Sequence, residues 1–203
     1  MKKIGFIDYY LDEWHANNYP KFIKDAVGDE FVIAYAYGEI DKPDGKTNRE
    51  WADSFGVELL GSIDEVVEKS DVLIFLSPDN PERHWELCQK PFRSGKRVYV
   101  DKTFAPSKKT SEDLVKLAEE NNTPFFSSSA LRFSDELTTL GRENIAFINS
   151  RGPGDFDTYA IHQIEPITML MGAEATRVMA VGAGMHQTVV IAFKGGRSAV
   201  MSH

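Results

Sequence analysis

The chain has 203 residues, of which 42% are hydrophobic and 27% are charged, and its formal net charge is −8. This composition excludes disordered, collagen-like and low-complexity proteins, and the negative charge argues against a general nucleic-acid-binding protein. Cys88 is the only cysteine, which excludes an intramolecular disulfide. No apolar run reaches the roughly 20 residues of a membrane span, and Asp8 interrupts the first apolar run too early for a signal sequence. We therefore expect a cytoplasmic protein that contacts neither nucleic acid nor membrane.

Short apolar runs alternate with amphipathic stretches over residues 1–130. Five runs are predicted strands, at residues 3–8, 31–37, 72–77, 97–101 and 124–128. Most are continuously apolar, which is typical of strands buried on both faces of a parallel sheet. Helix-capping residues open the intervening stretches, namely Asp12, Asn48, Ser62, Asn80 followed by Pro81, and Ser107 or Thr110. This order predicts an α/β, Rossmann-like, doubly wound parallel sheet over residues 1–130.

The pattern changes over residues 131–203. Strand candidates lie at residues 144–150, 175–182, 187–193 and 197–202, and helix candidates at 134–140 and 157–171. Glycine-containing turns join the last three strand candidates, which is typical of an antiparallel sheet. We predict a small, shortened α+β second domain over residues 131–203, in which one helix packs against this sheet.

Four landmarks between residues 70 and 132 follow one another along the chain. They are the strand and loop 71–80 with Ser77, Pro78 and Asn80, then His84 in the next helix, the strand 94–103 ending in Asp101, Lys102 and Thr103, and the strand from Ser127 that leads to Arg132. In this order they resemble the Gfo/Idh/MocA family, named for glucose–fructose oxidoreductase and inositol dehydrogenase. Members of that family are two-domain enzymes that bind NAD or NADP and oxidise or reduce sugars, inositols and related polyols.

The resemblance implies an NAD(P)-dependent oxidoreductase that acts on a sugar or polyol hydroxyl by hydride transfer. The implied cofactor contacts are Asp8, Tyr10, Leu11, Ser77, Pro78, Asn80, His84, Asp101 and Lys102. The implied contacts of a sugar-like small-molecule substrate are Lys102, Arg132, Thr158 and His162. His84 is alternatively a structural residue in the first turn of a helix. Arg132 is alternatively paired with Asp135 or Glu136.

Lys102 and His162 are the predicted catalytic residues. Lys102 follows a parallel strand, at the edge where α/β sheets bind ligands. By resemblance it is the lysine of the family's Glu-Lys-Pro sequence, which hydrogen-bonds the substrate hydroxyl and the nicotinamide region; a solvated lysine is the alternative. His162 resembles a family histidine that would accept the hydroxyl proton, because histidine titrates near neutral pH. Thr158 replaces the family's aspartate four residues earlier, so a packed, neutral His162 is the alternative.

The turn after the first strand departs from the family. A Gly-x-Gly-x-x-Gly turn would let the cofactor's diphosphate approach the backbone, yet residues 8–15 contain no glycine, and Tyr10 lies where the backbone should be bare. Asp12 as the N-cap and Glu13 in the first turn are expected to satisfy the helix N-terminus and to repel a dinucleotide. The alternative hypotheses are a catalytically degenerate, Rossmann-like binding or regulatory protein, or a sugar or nucleotide-sugar sensor without redox chemistry.

Three further expectations concern the cofactor, metals and assembly. Glu39 falls near the position of the acid that binds the adenosine ribose, and no arginine is expected close by to take a 2′-phosphate, so NAD is expected in preference to NADP. The five histidines show no metal-ligand spacing, so no metal is assigned. An exposed sheet formed by the last strand candidates predicts a homo-oligomer that assembles through the C-terminal sheet.

Overall fold

The computed structural model describes residues 1–184 and 186–203, which form two compact units, Met1–Ser127 and Ser128–His203. Each unit has its own sheet and its own buried apolar core. Among the described residues, no helix combines the length and the apolar character that crossing a membrane would require.

The first unit is built on six parallel strands. They are β1 (Lys2–Asp8), β2 (Phe31–Gly38), β3 (Glu58–Leu59), β4 (Val72–Phe75), β5 (Val98–Val100) and β6 (Phe125–Phe126). In the sheet they lie in the order β3-β2-β1-β4-β5-β6, and every neighbouring pair is parallel. The predicted doubly wound α/β sheet is therefore confirmed. The strand order reverses between β1 and β4, which is where such sheets open a crevice for ligands.

Helices cover both faces of this sheet because successive strand residues point to opposite sides. The helices are α1 (Trp14–Val27), α2 (Asn48–Phe55), α3 (Ile63–Lys69), α4 (His84–Phe92) and α5 (Lys108–Glu120). Residues of α1 and α2 pack with Phe6 and Ala36 in one apolar cluster. Residues of α3, α4 and α5 pack with Ile7 and Phe75 in the other. This alternation explains why the strands read as continuous apolar runs in the sequence.

Thr47, and not Asn48, caps α2. The Thr47 side chain accepts the Glu50 backbone N–H, and the Glu50 carboxylate accepts the Thr47 backbone N–H, which is a complete capping box. The Asn48 side chain reaches the opposite way, accepting from the Leu11 N–H at 2.9 Å and donating to the Ile40 carbonyl at 2.8 Å. Asn48 therefore ties the turn after β1 to the loop after β2.

The second unit has a mixed sheet with helices packed against it. Its strands are β7 (Phe147–Arg151), β8 (Ala175–Ala183), β9 (His186–Phe193) and β10 (Ser198–Ser202), in the order β7-β10-β9-β8. The predicted antiparallel arrangement of the last three strands is confirmed, and β7 adds a fourth strand that runs parallel to β10. The short helix α6 (Asp135–Thr138) precedes β7, and the helices α7 (Phe156–Tyr159) and α8 (Ile161–Met171) follow it, in place of the single helix predicted over residues 157–171.

Candidate functional site

The carboxyl ends of β1, β4 and β5 meet at one edge of the first unit's sheet. Asp8 is the last residue of β1, and Asp101 directly follows β5. The Asp101 backbone N–H donates to the Phe75 carbonyl of β4 at 2.9 Å, and the Leu76 N–H donates to the Ile7 carbonyl of β1 at 2.9 Å. The predicted cofactor residues on these three strands are therefore brought to the same edge.

Asp101 fixes the loop that carries Lys102. Its Oδ1 accepts from the Lys102 backbone N–H at 2.8 Å and from the Tyr99 hydroxyl at 2.9 Å. Asp101 is 1% exposed and Lys102 is 8% exposed, so both residues are largely buried at the end of a parallel strand. Burial raises the pKa of Asp101, while the nearby His15 charge opposes that rise.

His84 braces two loops of this edge. Its Nδ1 lies 2.9 Å from the Phe104 carbonyl oxygen, and its Nε2 lies 2.9 Å from the Ser77 carbonyl oxygen. The ring is fully buried, and this burial lowers the pKa of His84 against the effect of the two carbonyls. Both ring nitrogens are engaged by the protein, so His84 supports the loops after β4 and β5, and its predicted cofactor contact stays a prediction.

Glu13, and not Asp12, is the N-cap of α1. One Glu13 carboxylate oxygen accepts the Ala16 backbone N–H, and the other accepts the His15 N–H at 2.7 Å. Asp12 is drawn away because its carboxylate accepts from the Asn17 side chain and from the Lys46 backbone N–H, each at 3.0 Å. The prediction that Asp12 is the N-cap is therefore wrong, and the next residue, Glu13, is the N-cap.

Several backbone donors of the turn between β1 and α1 are bonded within the protein. The N–H of Tyr9 donates to Asp8 Oδ1, and the N–H of Leu11 donates to Asn48. Glu13 takes the N–H groups of His15 and Ala16, which are donors that a helix N-terminus offers to a ligand anion. Lys42 Nζ lies 5.5 Å from the ring of Tyr10, the residue predicted to lie where a glycine-rich turn has bare backbone. As the side chains stand, this turn does not fit the diphosphate of a dinucleotide.

Two buried carboxylates contact His15, and a third, Asp8, interacts electrostatically with both of them. Asp8, Glu13 and Asp101 are exposed by 1%, 4% and 1%, and His15 Nδ1 lies 3.0 Å from Glu13 Oε2 and 3.4 Å from Asp101 Oδ2. Burial, and then the Glu13 charge, raise the pKa of Asp8 well above its ordinary value. Burial opposes the charged form of His15, yet the Glu13 hydrogen bond and the Asp101 charge raise its pKa overall. Asp8 Oδ2 has no hydrogen-bond partner among the described residues.

Arg83 reaches the predicted ribose-binding acid. Its Nε and one terminal nitrogen bond the two Glu39 carboxylate oxygens at 3.1 and 2.5 Å, and its guanidinium lies 5.8 Å from the Tyr9 ring. The premise that no arginine lies close to Glu39 is therefore wrong, because the loop after β4 brings one across 44 residues of sequence. Within residues 1–184 and 186–203, no three His, Cys, Asp or Glu side chains are grouped to hold a metal ion.

A hydrogen-bonded network surrounds His162 in the second unit. The buried Ser129 hydroxyl lies 2.7 Å from His162 Nδ1, and the Ser129 backbone N–H donates to Glu165 at 3.1 Å. Arg132 pairs with Glu165, so both local partners expected for it are wrong. Thr158 lies in the first turn of α7, where its N–H donates to Asp155 at 2.9 Å. Ser129, which no sequence pattern singles out, is thus a partner of His162.

A family model described as an oxidoreductase family with an NAD-binding Rossmann fold, GFO_IDH_MocA, matches residues 34–128. The match covers just under half of the chain. It begins after the β1–α1 turn, and it includes the ends of β4 and β5. No curated protein sequence matches the chain at a significant level.

Solved structures match over the whole chain. An oxidoreductase from Bacillus cereus has a TM-score of 0.77 at 18% identity, covering 100% of this chain and 64% of its own. A candidate myo-inositol dehydrogenase from Sinorhizobium meliloti 1021 has a TM-score of 0.80 at 16% identity, covering 100% of this chain and 68% of its own. GenD2 from gentamicin A biosynthesis, in complex with NAD, has a TM-score of 0.77 at 16% identity, covering 100% of this chain and 66% of its own.

At these identities the structures show a shared fold, and the chain spans about two-thirds of their length. The sheet order, the matched segment and the ordered landmarks agree with one another. The resemblance seen in the sequence is thus confirmed over residues 34–128, which match the model of the Gfo/Idh/MocA oxidoreductase family, whose description is an NAD-binding Rossmann fold.

Proposed function

We propose that the protein is an NAD(P)-dependent oxidoreductase that acts on a sugar or polyol hydroxyl by hydride transfer. The observation that carries this proposal is Lys102, a largely buried lysine at the carboxyl end of β5, inside the segment that matches the family. Ligands of doubly wound sheets bind at this edge. A sugar-like small molecule is the proposed substrate, and the likeness to a candidate myo-inositol dehydrogenase supports that class.

Lys102 is proposed to donate a hydrogen bond to the reacting oxygen of the substrate. A buried ammonium stabilises negative charge that develops on an alkoxide more strongly than a solvated one does, because water screens it less. Asp101 holds the Lys102 backbone through its Oδ1 and thereby positions the lysine. The nicotinamide cofactor of the family would supply the hydride chemistry, and no contact with its diphosphate is assigned to this chain.

His162 is proposed to accept the hydroxyl proton. An imidazole suits this step because its ordinary pKa lies near neutrality. The Ser129 hydroxyl, 2.7 Å from Nδ1, orients the ring in place of the carboxylate that Thr158 has replaced. Arg132 and Thr158 remain proposed substrate residues. Arg132 Nε donates to Glu165, so a substrate would be bound by the other N–H groups of the guanidinium.

Calorimetric titration of the full chain with NADH and with NADPH tests the proposal, followed by a turnover assay with a panel of inositols, sugars and sugar alcohols. We expect millimolar or tighter binding of one cofactor and turnover of one substrate class. Absence of cofactor binding at millimolar concentration would refute the dehydrogenase proposal.

The buried carboxylates of the β1–α1 turn favour a second candidate function. Glu13 takes the N–H groups that a diphosphate would need, so a binding or regulatory protein without redox chemistry is the rival hypothesis. The two are separated by the same titration extended to free sugars and polyols. Binding of a polyol without binding of either cofactor would favour the rival.

A homo-oligomer formed through the second unit's sheet is also proposed. Strand β8 lies at the edge of that sheet, and its Val178, Met179 and Val181 side chains are exposed, as is Phe147 on β7. Exposed apolar side chains on an edge strand favour pairing with another chain. Light scattering should give a mass above one chain, and a clean monomer would refute this proposal.

A further inference from the structure

We infer that Glu13 is a built-in anion at the N-terminus of α1, which a diphosphate ligand has to displace, so that Glu13 sets the selectivity of this turn against dinucleotides. The inference rests on the proposed function only in taking a nicotinamide dinucleotide as the natural ligand. It concerns a carboxylate side chain that takes helix N–H groups, whereas a helix N-terminus that follows a glycine-rich turn leaves these groups to the pyrophosphate.

The geometry of the helix N-terminus carries the first step. The unpaired N–H groups and the dipole of a 14-residue helix attract an anion. Here the two oxygens of one carboxylate accept the N–H groups of His15 and Ala16, and Glu13 is only 4% exposed. A phosphate oxygen and the Glu13 carboxylate therefore compete for the same two donors.

The charge around the turn carries the second step. Asp8 Oδ2 is fully buried without a hydrogen-bond partner among the described residues, and the Glu13 charge acts on both Asp8 and Asp101. A diphosphate that enters while Glu13 stays in place adds negative charge next to buried carboxyl groups, two of which contact the His15 imidazole. Such like-charge contacts are strongly unfavourable in a desolvated setting.

Displacement of Glu13 would reverse this balance. The N–H groups of His15 and Ala16 would then be available, and the His15 side chain would lose one of its two carboxylate partners. A phosphate group can occupy the place that the carboxylate leaves, since both are anions that accept from the same donors. The turn is thus an anion site that the chain fills with its own side chain.

The test compares the affinities of the full chain for ADP and for adenosine, measured by calorimetry on wild type and Glu13→Gln. Glutamine keeps an oxygen that can cap the helix but removes the charge. We expect Glu13→Gln to bind ADP at least about tenfold more tightly than wild type, with adenosine affinity unchanged. Asp12→Asn is the matched control, because its carboxylate bonds Asn17 and Lys46 and not the first N–H groups of α1. It should change ADP affinity by less than about threefold.

Equal ADP affinity in wild type and Glu13→Gln, or an equal gain for adenosine, would overturn the inference. If Glu13→Gln does not fold, Glu13→Ser serves instead, since serine is a good N-cap with a shorter side chain. Failure of the proposed function is a separate result. A chain without turnover on any polyol would still show the ADP gain in Glu13→Gln, whereas a chain with turnover and no ADP gain would refute only the role of Glu13.

Discussion

The β1–α1 turn and the loop after β5 lie at the same edge of one sheet, yet they resemble the family to different degrees. The loop after β5 has a buried lysine behind a carboxylate that fixes its backbone. The β1–α1 turn contains no glycine and is closed by Glu13 and Asp8. The match to the family model includes the loop after β5 and begins only after the β1–α1 turn.

The packing of the sheet and the composition of its loops are therefore separate properties of this unit. Strand β1 itself is conventional, because Ile4, Phe6 and Ile7 are buried between the helices of the two faces. The turn that follows β1 is held by side-chain hydrogen bonds, which can be exchanged without disturbing those apolar contacts. A sheet can therefore keep its fold and one functional loop while a neighbouring loop is rebuilt.

The largest expected effect comes from replacing the Lys102 side chain, which tests whether the lysine at the end of β5 takes part in the proposed reaction. Lys102→Ala should reduce turnover by about 100-fold or more, because the developing alkoxide loses its buried cation. The free energy of unfolding should stay close to that of wild type. Lys108→Ala, an exposed lysine paired only with Glu112 at 3.5 Å, is the matched control and should retain full turnover. Unchanged turnover in Lys102→Ala would remove this residue from the mechanism.

A smaller effect is expected from Ser129→Ala, which tests the second unit's contribution. Loss of one hydrogen bond worth about 1 kcal/mol predicts a fall in kcat of roughly five- to tenfold, with KM little changed. The pH profile of kcat should shift as well, and nitrogen NMR of His162 should report a change of tautomer or ring pKa. Ser134→Ala, which removes the side-chain cap of α6 (Asp135–Thr138), is the control. An unaltered His162 spectrum in Ser129→Ala would refute the positioning role.

Asp8→Asn tests the electrostatics of the β1–α1 turn through the free energy of unfolding. Because the folded pKa of Asp8 is raised above the ordinary value of 3.8, its contribution to stability is lost as the pH rises above that value. The raised pKa values of Asp101 and His15 act in the same direction. We therefore expect urea unfolding to show stability that declines as the pH rises above 3.8.

The Asp8→Asn variant should be more stable than wild type by about 1 kcal/mol at neutral pH, because an amide can donate where the carboxylate is repelled. Its decline in stability with pH should also be shallower. Asp25→Asn, an exposed acid paired with Lys21, is the control and should leave the pH dependence unchanged. A steeper decline in Asp8→Asn than in wild type would contradict this electrostatic description.

The smallest effect concerns the Glu39–Arg83 pair. Glu39→Gln should weaken NADH binding relative to NADPH binding by about threefold, because the ribose diol loses a charged acceptor and Arg83 becomes available to a 2′-phosphate. Glu58→Gln breaks an exposed pair with Lys69 and is the matched control. The ratio of the two dissociation constants is the measurement, and a shift toward NADH would contradict the assignment of Glu39.

The sequence was sufficient to predict those elements whose formation depends on a local pattern of apolar residues. Apolar runs predicted every strand of the first unit except β3, whose two residues give no run. The rule that α/β sheets bind ligands where parallel strands end was enough to single out the end of β5. The family match added Lys102, because a lysine after a strand has no distinctive pattern of its own.

The remaining features depend on contacts between distant residues. Arg83 and Glu39 are 44 residues apart, and Ser129 and His162 are 33 residues apart, so neither pair leaves a periodic signal. The N-cap assignment missed Glu13 because Asp is the commoner capping residue, and only the folded loop around Lys46 shows what attracts Asp12. Hydrogen-bond partners chosen by tertiary structure are therefore the part that sequence reasoning could not supply.

The central claim is that the end of β5 binds the nicotinamide half of the cofactor while the β1–α1 turn excludes its diphosphate. Amide chemical-shift mapping with the two halves of the cofactor tests this claim most directly. We predict that reduced nicotinamide mononucleotide shifts the amides of Ser77 and Lys102 in wild type. ADP at the same concentration should leave the amides of His15 and Ala16 unshifted in wild type and shift them in Glu13→Gln. The contrary result is ADP moving His15 and Ala16 in wild type while nicotinamide mononucleotide leaves Ser77 and Lys102 unchanged.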